Sequence, residues 1–272
     1  MHKDLILGVK TAYPENYNAG LLCAIPRKKG RQLISIENSY TFYGEDIWTA
    51  YEVSWLDLKG KPVVAVVEVT LSCDTKNIVE SKSLKLYLNS LNQMKCESSD
   101  EIEAIVKKDI AHCVDGFVDV HSYSLDAFCI RGLPSFSGVL IDSLDVSIDF
   151  YDLDASFLFI EESDSIVTET LYSHLLKTNC PVTNQPDWAS IMIKYTGRQI
   201  SAAGLLKYII SYRHHQDFHE QCVERIYSDI SALCRPQELE VYARYSRRGG
   251  IDINPYRSSS KMHPPLIRTS RQ

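Results

Sequence analysis

The chain has 272 residues, with 29 Lys and Arg against 35 Asp and Glu for a net charge of −6, and is 44% hydrophobic and 24% charged. That composition is globular; it excludes a disordered chain, and with 12 Gly and 10 Pro it excludes a collagen-like or low-complexity one. The acidic balance argues against nucleic acid as the main partner, because neutralising phosphates takes clustered Lys and Arg.

The length accommodates two packed modules or one large domain. No stretch has the 18 or so unbroken apolar residues that a bilayer span requires. The start, MHKDLILGVKTAYPENYNAG, holds no apolar run of signal-peptide length, so the cytoplasm is the expected compartment and no membrane partner is expected.

In chain order, Trp48 to Trp55 and Pro62 to Val69 are predicted as strands joined by a Lys-Gly-Lys turn. Ser81 to Leu91 carries leucines at helical spacing, Leu84, Leu88 and Leu91. A second helix is expected from Asp100 to Cys113, with the stripe Ile102, Ile105, Val106 and Ile110, and with Ser98 and Glu101 resembling a capping box. Strands are expected at Phe117 to Leu125 and at Val139 to Phe150, the latter from the alternation of Leu144, Val146, Ile148 and Phe150. The second half repeats the order. Ile166 to Leu176 and Trp188 to Tyr195 read as strands, Ser201 to Tyr212 and Phe218 to Leu233 as helices, and Leu239 to Tyr245 and Ile251 to Asn254 as strands about the turn Arg248-Gly249-Gly250. Strand-strand-helix-helix-strand-strand, twice, predicts an α+β class with antiparallel sheets and helices gathered on one face. Placing Lys85 on Lys207 aligns the two first helices, with Leu84 on Leu206 and the polar Glu80, Ser81 and Lys82 facing Ala202, Ala203 and Gly204.

Eight cysteines, at positions 23, 73, 96, 113, 129, 180, 222 and 234, include no CxxC, which disfavours a disulfide scaffold or a zinc ribbon. Most are expected to be small buried apolar groups. One lies in the richest cluster, KTNCPVTNQPDWAS from Lys177, a loop between two predicted strands. The turn Asn184-Gln185-Pro186 can return Asp187 toward Cys180. A thiol beside a carboxylic acid suits attack on an electrophilic carbon while the acid protonates the heteroatom that gains charge. The alternative is a buried structural cysteine.

A second cluster, RHHQDFHEQC from Arg213, holds His214, His215, His219 and Cys222. Zinc is one reading, although Val223 stands where a second HExxH histidine would be. Solvated polar residues opening a helix is another. A third is a site near a helix N-terminus in which His219 and Glu220 hold a polar ligand, the carboxylate accepting paired N–H donors such as those of a guanine-like base.

VESKSLK from Val79 opens a helix whose backbone N–H groups and lysines could receive phosphate; the plain reading is a capped helix with a solvated first turn. From residue 241 onward, Arg244, Arg247, Arg248, Arg257, Lys261, Arg268 and Arg271 face the single acid Asp252. Such an end could meet RNA, an anionic cofactor or a second subunit, or be a loose solvated tail. No glycine-rich Rossmann or P-loop fingerprint is present.

Together VESKSLKLYLNSL, NCPVTNQPDWAS, FHEQCVERI and YSRRGGIDINPYR resemble the NADPH-dependent 7-cyano-7-deazaguanine reductases, the nitrile reductases of queuosine biosynthesis, in their longer two-module form. The resemblance implies a tandem tunnelling fold of two ββααββ-type modules, placed at 1–155 with ESKSLK and at 156–272 with the cysteine loop. It implies Cys180 as nucleophile and Asp187 as proton donor. Val79, Glu80, Ser81, His219 and Glu220 would hold the deazaguanine, and Ser81, Lys82, Arg248 and Gly249 would contact NADPH. It implies four-electron reduction of the nitrile through a covalent thioimidate in a step of tRNA modification. No metal and no direct nucleic-acid contact are expected, and a homodimer is. The rival readings are a zinc-dependent pterin cyclohydrolase-like enzyme and a non-catalytic RNA-binding protein.

Overall fold

The structure is a computed structural model that describes residues 14–34 and 42–272. The first 13 residues, on which the expectation about a signal peptide partly falls, lie outside the described residues. In chain order the elements are β1 (Ala24–Pro26), α1 (Arg27–Leu33), β2 (Tyr43–Leu56), β3 (Pro62–Ser72), β4 (Asn77–Val79), α2 (Ser81–Ser90), α3 (Ser99–Val114), β5 (Val118–Tyr123), α4 (Leu125–Cys129), β6 (Val139–Leu140), β7 (Ile166–Asn179), β8 (Pro186–Arg198), α5 (Ala202–Ser211), α6 (His219–Cys234), β9 (Glu238–Tyr245) and β10 (Ile251–Ser258). The class is α+β; the pairs β1–β4, β3–β5, β7–β8, β8–β9 and β9–β10 are antiparallel, and β6 runs parallel to β7. Among the described residues no helix is long and apolar enough to cross a membrane.

The chain forms two compact units, each discontinuous in sequence. The first comprises described residues 14–30, 46–132 and 247–252. Its sheet has the order β5-β3-β2. The turn between β2 and β3 is set by Asp57, whose carboxylate accepts from the N–H of Lys59 (2.9 Å) and of Lys61 (2.8 Å), with Gly60 at a φ of 86°. Helix α2 buries Leu84, Leu86, Tyr87 and Leu88, and α3 buries Ile102, Val106, Ile110 and Val114 at the spacing that one helix face requires. Ser98 caps α3 by accepting from the Glu101 N–H. The Glu101 carboxylate reaches back to the N–H of Glu97 (2.8 Å), one residue before the position a capping box would use.

The second unit comprises described residues 31–34, 42–45, 133–246 and 253–272. Its sheet runs β10-β9-β8-β7-β6, and the order β7-β8-α5-α6-β9-β10 is the expected ββααββ. Helices α5 and α6 are amphipathic and bury Leu205, Leu206, Ile209, Val223, Ile226 and Ile230. A buried triad of Arg31, Glu224 and Arg257 lies in this unit. Glu224 accepts from Arg31 through two bonds of 2.9 and 2.7 Å and from the Arg257 Nη2 at 2.8 Å.

Three expectations are corrected. The strand predicted over Val139 to Phe150 forms only at Val139–Leu140, which pairs with β7. Beyond it Leu144 and Phe150 are exposed, and among the described residues no strand pairs there to take up their alternation.

The basic stretch after residue 241 is not an open cationic tail. Arg244 and Arg257 are buried. Arg271 donates to the His174 carbonyl (2.5 Å) and Gln272 to the Tyr245 carbonyl (2.6 Å). Burial accordingly holds the Arg271 pKa below its usual value.

The internal repeat holds, but one residue out of the register read from the sequence. Glu80 and Ser201 are the corresponding N-caps. The Ser90 hydroxyl donates to the Tyr87 carbonyl as the Ser211 hydroxyl does to that of Tyr208, both at 2.6 Å. Tyr87 donates to Asp109 (2.7 Å) as Tyr208 does to Asp229 (2.6 Å). Both second helices end on a left-handed residue, Asp115 and Arg235. Leu84 therefore stands on Leu205, and the polar opening of α2 faces Ser201, Ala202 and Ala203.

Candidate active site

In the second unit β7 and β8 form a long hairpin in which Thr178 lies directly opposite Asp187 and Asn179 opposite Pro186. Opposed residues share a sheet face, and Cys180 follows directly on the end of β7. The loop closes tightly. The Cys180 N–H donates to the Gln185 carbonyl (2.9 Å) and the Asn184 N–H to the Cys180 carbonyl (3.0 Å), with Asn184 left-handed at a φ of 56°. Asparagine tolerates that conformation, so the turn read from Asn184-Gln185-Pro186 is present. The segment before α6 straps it down. The Asn179 N–H donates to the His215 carbonyl (2.8 Å), the Asp217 N–H to the Asn179 carbonyl (3.3 Å) and the Gln216 amide to the Asn184 side chain (2.8 Å). Lys177 spans Asn179 Oδ1 and the Arg213 carbonyl, both at 2.7 Å. Burial, then the nearby Arg213 charge, lowers the Lys177 pKa, while Asp187 opposes the shift.

Cys180, Asp187 and Glu220 are buried, at 4%, 6% and 3% exposure. His219 begins α6, and its Nε2 lies 3.4 Å from Asp187 Oδ2. The imidazole lies flat on the Tyr245 ring, with centroids 3.6 Å apart and planes 4° apart. Its Nδ1 faces the Ile253 carbonyl at 3.4 Å. Burial, then the charge of Cys222 and Asp187, pushes the Tyr245 hydroxyl far above the usual phenol range, so it stays protonated. Burial, then Asp217, does the same to the Cys222 thiol. The site is therefore a buried thiol loop, a carboxyl–imidazole pair and a second carboxylate, an arrangement able to offer a nucleophile, a proton and an acceptor for a polar ligand.

The histidine-rich cluster does not converge. His214 meets Asp152 (3.2 Å), His215 meets Asp217 (3.5 Å) and His219 meets Asp187. Among the described residues no group of three His, Cys, Asp or Glu could hold a metal ion.

In the first unit Val79 ends β4 and Glu80 caps α2, its carboxylate accepting from the N–H of Lys82 (2.8 Å) and of Ser83 (2.9 Å). The helix N-terminus thus spends two of its open donors on Glu80, as the capped-helix reading has it. Ser81 and Lys82 form the first turn of α2, both partly exposed. Arg248 and Gly249 lie in a two-residue hairpin turn. The Arg248 N–H donates to the Ile251 carbonyl (2.9 Å) and the Ile251 N–H returns to Arg248 (3.4 Å). Both central residues are left-handed, Gly249 at 63° and Gly250 at 80°, the reason a Gly-Gly pair stands there. A methyl group on Gly249 would come within 3.1 Å of the Lys85 Cε. Together Lys85, Asn89, Asn92, Gly249, Gly250 and Glu52 line part of a cleft of about 240 Å³.

Two residues in these sites were not singled out in the sequence, Tyr245 and Lys85. Tyr245 opens the quoted YSRRGG stretch and Lys85 closes ESKSLK, but nothing in linear order signals that one covers a histidine and the other borders a glycine turn.

Residues 13–122 match the family model described as nitrile reductase, 7-cyano-7-deazaguanine-reductase N-term, and residues 186–264 match that of the QueF-like proteins. The two cover well over half of the chain. A crystal structure of the archaeosine synthase QueF-Like in the apo form shares 18% sequence identity, with 37% of this chain and 99% of that chain covered and a TM-score of 0.32.

Proposed function

The chain belongs to the 7-cyano-7-deazaguanine reductase family, nitrile reductases of the queuosine pathway, and from that premise we propose that it reduces the nitrile of 7-cyano-7-deazaguanine to the primary amine by four electrons, with NADPH as reductant and a covalent Cys180 thioimidate on the way. The observation that carries this reading is the thiol loop closed on itself at Cys180, with Asp187 on the opposing strand and held 3.4 Å from His219.

A nitrile carbon is a weak electrophile. The Cys180 sulfur adds to it, and Asp187 delivers a proton to the nitrogen; the thiol proton then restores Asp187. The product is a thioimidate in which one C–S bond has formed and one C–N π bond has been lost. When the sulfur leaves after the first reduction, the imine remains in the site for the second. Asp187 again supplies the proton that the nitrogen needs. Glu220 accepts from the paired N–H edge of the deazaguanine, a charge-assisted contact suited to an amidine-like donor pair.

NADPH, when bound, supplies the hydride. The residues present fit an anionic cofactor. The Gly249-Gly250 turn keeps backbone open beside the Lys85 stem, Arg248 flanks the turn, and Ser81 and Lys82 open α2. These side chains give charge and hydrogen bonds without a glycine-rich fingerprint. A cytoplasmic homodimer acting on the free base, not on the nucleic acid, completes the proposal.

The test is NADPH consumption followed by absorbance with and without the cyano-deazaguanine. The reading expects two NADPH consumed per nitrile and none without it. Substrate-independent oxidation, or no oxidation at all, would reject it.

A further inference from the structure

The stack of His219 on Tyr245 does more than fill space. A carbonyl only accepts, so the Ile253 oxygen 3.4 Å from Nδ1 selects the ring form that carries a proton on Nδ1. The opposite nitrogen, Nε2, then points at Asp187 Oδ2, 3.4 Å away. Neutral Nε2 has a lone pair and an ionised carboxylate has only lone pairs, so the two meet favourably only with one proton between them. The plane of the ring is held by the buried Tyr245 ring, which lies at 4° to it at a 3.6 Å separation, so that each nitrogen keeps its facing group. Tyr245 is itself fixed. Its backbone N–H donates to Asn254 Oδ1 (3.1 Å) and its carbonyl accepts from the Gln272 side chain (2.6 Å).

We propose that Tyr245 is a positioning residue that, with the Ile253 carbonyl, locks His219 as the Nδ1–H form and makes Asp187 and His219 a pair sharing one proton, the proton that the nitrile nitrogen receives. The inference rests on the nitrile-reductase reading for its kinetic consequence, and on geometry alone for the proton's location. Several titratable and charged groups act on the pair or its neighbours. Tyr245 from β9 and Cys222 from α6 are held protonated by burial and neighbouring negative charge. Asp217 and Arg225 act on Cys222, and Lys177 from β7 acts electrostatically with Asp187.

The experiment uses full-length protein labelled with ¹⁵N, with the His219 ring signals assigned by their loss in His219→Gln. Long-range ¹H–¹⁵N correlation should show a protonated Nδ1 in the wild type from pH 6 to 8. Tyr245→Phe, which keeps the stack, should preserve that pattern and keep kcat within about threefold. Tyr245→Leu should give averaged tautomers and lower kcat about 10- to 100-fold with KM for the nitrile little changed. A role in packing alone would lower the melting temperature of Tyr245→Leu and leave both tautomer and kcat per folded molecule as they were, which would overturn the proposal. A wild type whose Nε2 carries the proton while Nδ1 does not would overturn it without any variant. A wild type that reduces no nitrile would sink the functional reading instead, and the spectrum would still decide where the proton sits.

Discussion

Glu224→Gln is expected to be among the most destabilising single changes in the second unit. Glu224 is 2% exposed, Arg31 is 3% and Arg257 is 0%, and the carboxylate takes bonds from both guanidiniums. Phe42 is within cation–π reach of both cations, at 5.5 Å from Arg31 and 5.6 Å from Arg257, and offers no formal charge to replace the carboxylate. The amide would take away the carboxylate charge that both buried guanidiniums meet. Removing one partner of a buried pair costs about 3–5 kcal/mol, because the remaining charge keeps its desolvation penalty. With a urea slope of about 3 kcal/mol/M, that is a fall of roughly 1–1.7 M in the unfolding midpoint. The assay is urea unfolding followed by far-UV circular dichroism, with tryptophan fluorescence recorded alongside to show whether one transition is being read. The companion variant replaces Arg31 and Arg257 by Met and Glu224 by Leu. It should recover much of the loss, because a packed apolar trio carries no stranded charge. A Glu224→Gln midpoint within about 0.3 M of the wild type, or a triple variant worse than the single one, would refute the reasoning.

The remaining predictions concern the chemistry. Asp187→Asn keeps the shape and loses the proton, so kcat should fall about 10²- to 10⁴-fold with KM within a few-fold; an unchanged turnover removes Asp187 from the mechanism. Glu220→Ala should weaken nitrile binding by about 1.5–3 kcal/mol, the worth of hydrogen bonds to a charged group, and calorimetry showing unaltered affinity rejects that role. Gly249→Ala places a methyl 3.1 Å from the Lys85 Cε at a φ of 63°. The left-handed backbone costs an L-residue about 1–2 kcal/mol, and KM for NADPH should rise several-fold while nitrile affinity holds; equal loss of both would point to a general folding defect.

Elements whose apolar spacing faces a single buried layer were legible in the chain. Helices α2, α3, α5 and α6 all lie where the periodicity put them, because Leu84 and Leu88, or Ile102, Val106 and Ile110, had one face to fill. The alternation over Leu144 to Phe150 misled, since alternation makes a strand only where a neighbour supplies hydrogen bonds, and that neighbour is a tertiary fact. The repeat was visible but misregistered. Matching Lys85 to Lys207 weighed surface lysines, whereas the bonds that fix the register, Ser90 to Tyr87 and Ser211 to Tyr208, involve the backbone. In the site, the Cys180 turn was local and therefore readable. The approach of His219 to Asp187 and Tyr245 joins three elements far apart in sequence, and no spacing rule reaches across them. The arginines after residue 241 read as a basic end because sequence shows charge without burial; Arg257 is a buried partner of Glu224 instead.

The proposed reaction turns on a carbon–sulfur bond formed at Cys180. Intact-protein mass spectrometry of the enzyme mixed with 7-cyano-7-deazaguanine in the absence of NADPH should show the chain heavier by the mass of one substrate molecule, with fragmentation placing it on the peptide containing Cys180 and Cys180→Ala gaining nothing. An unmodified wild type that nonetheless reduces the nitrile once NADPH is added, or an adduct located on another of the cysteines, would contradict the account.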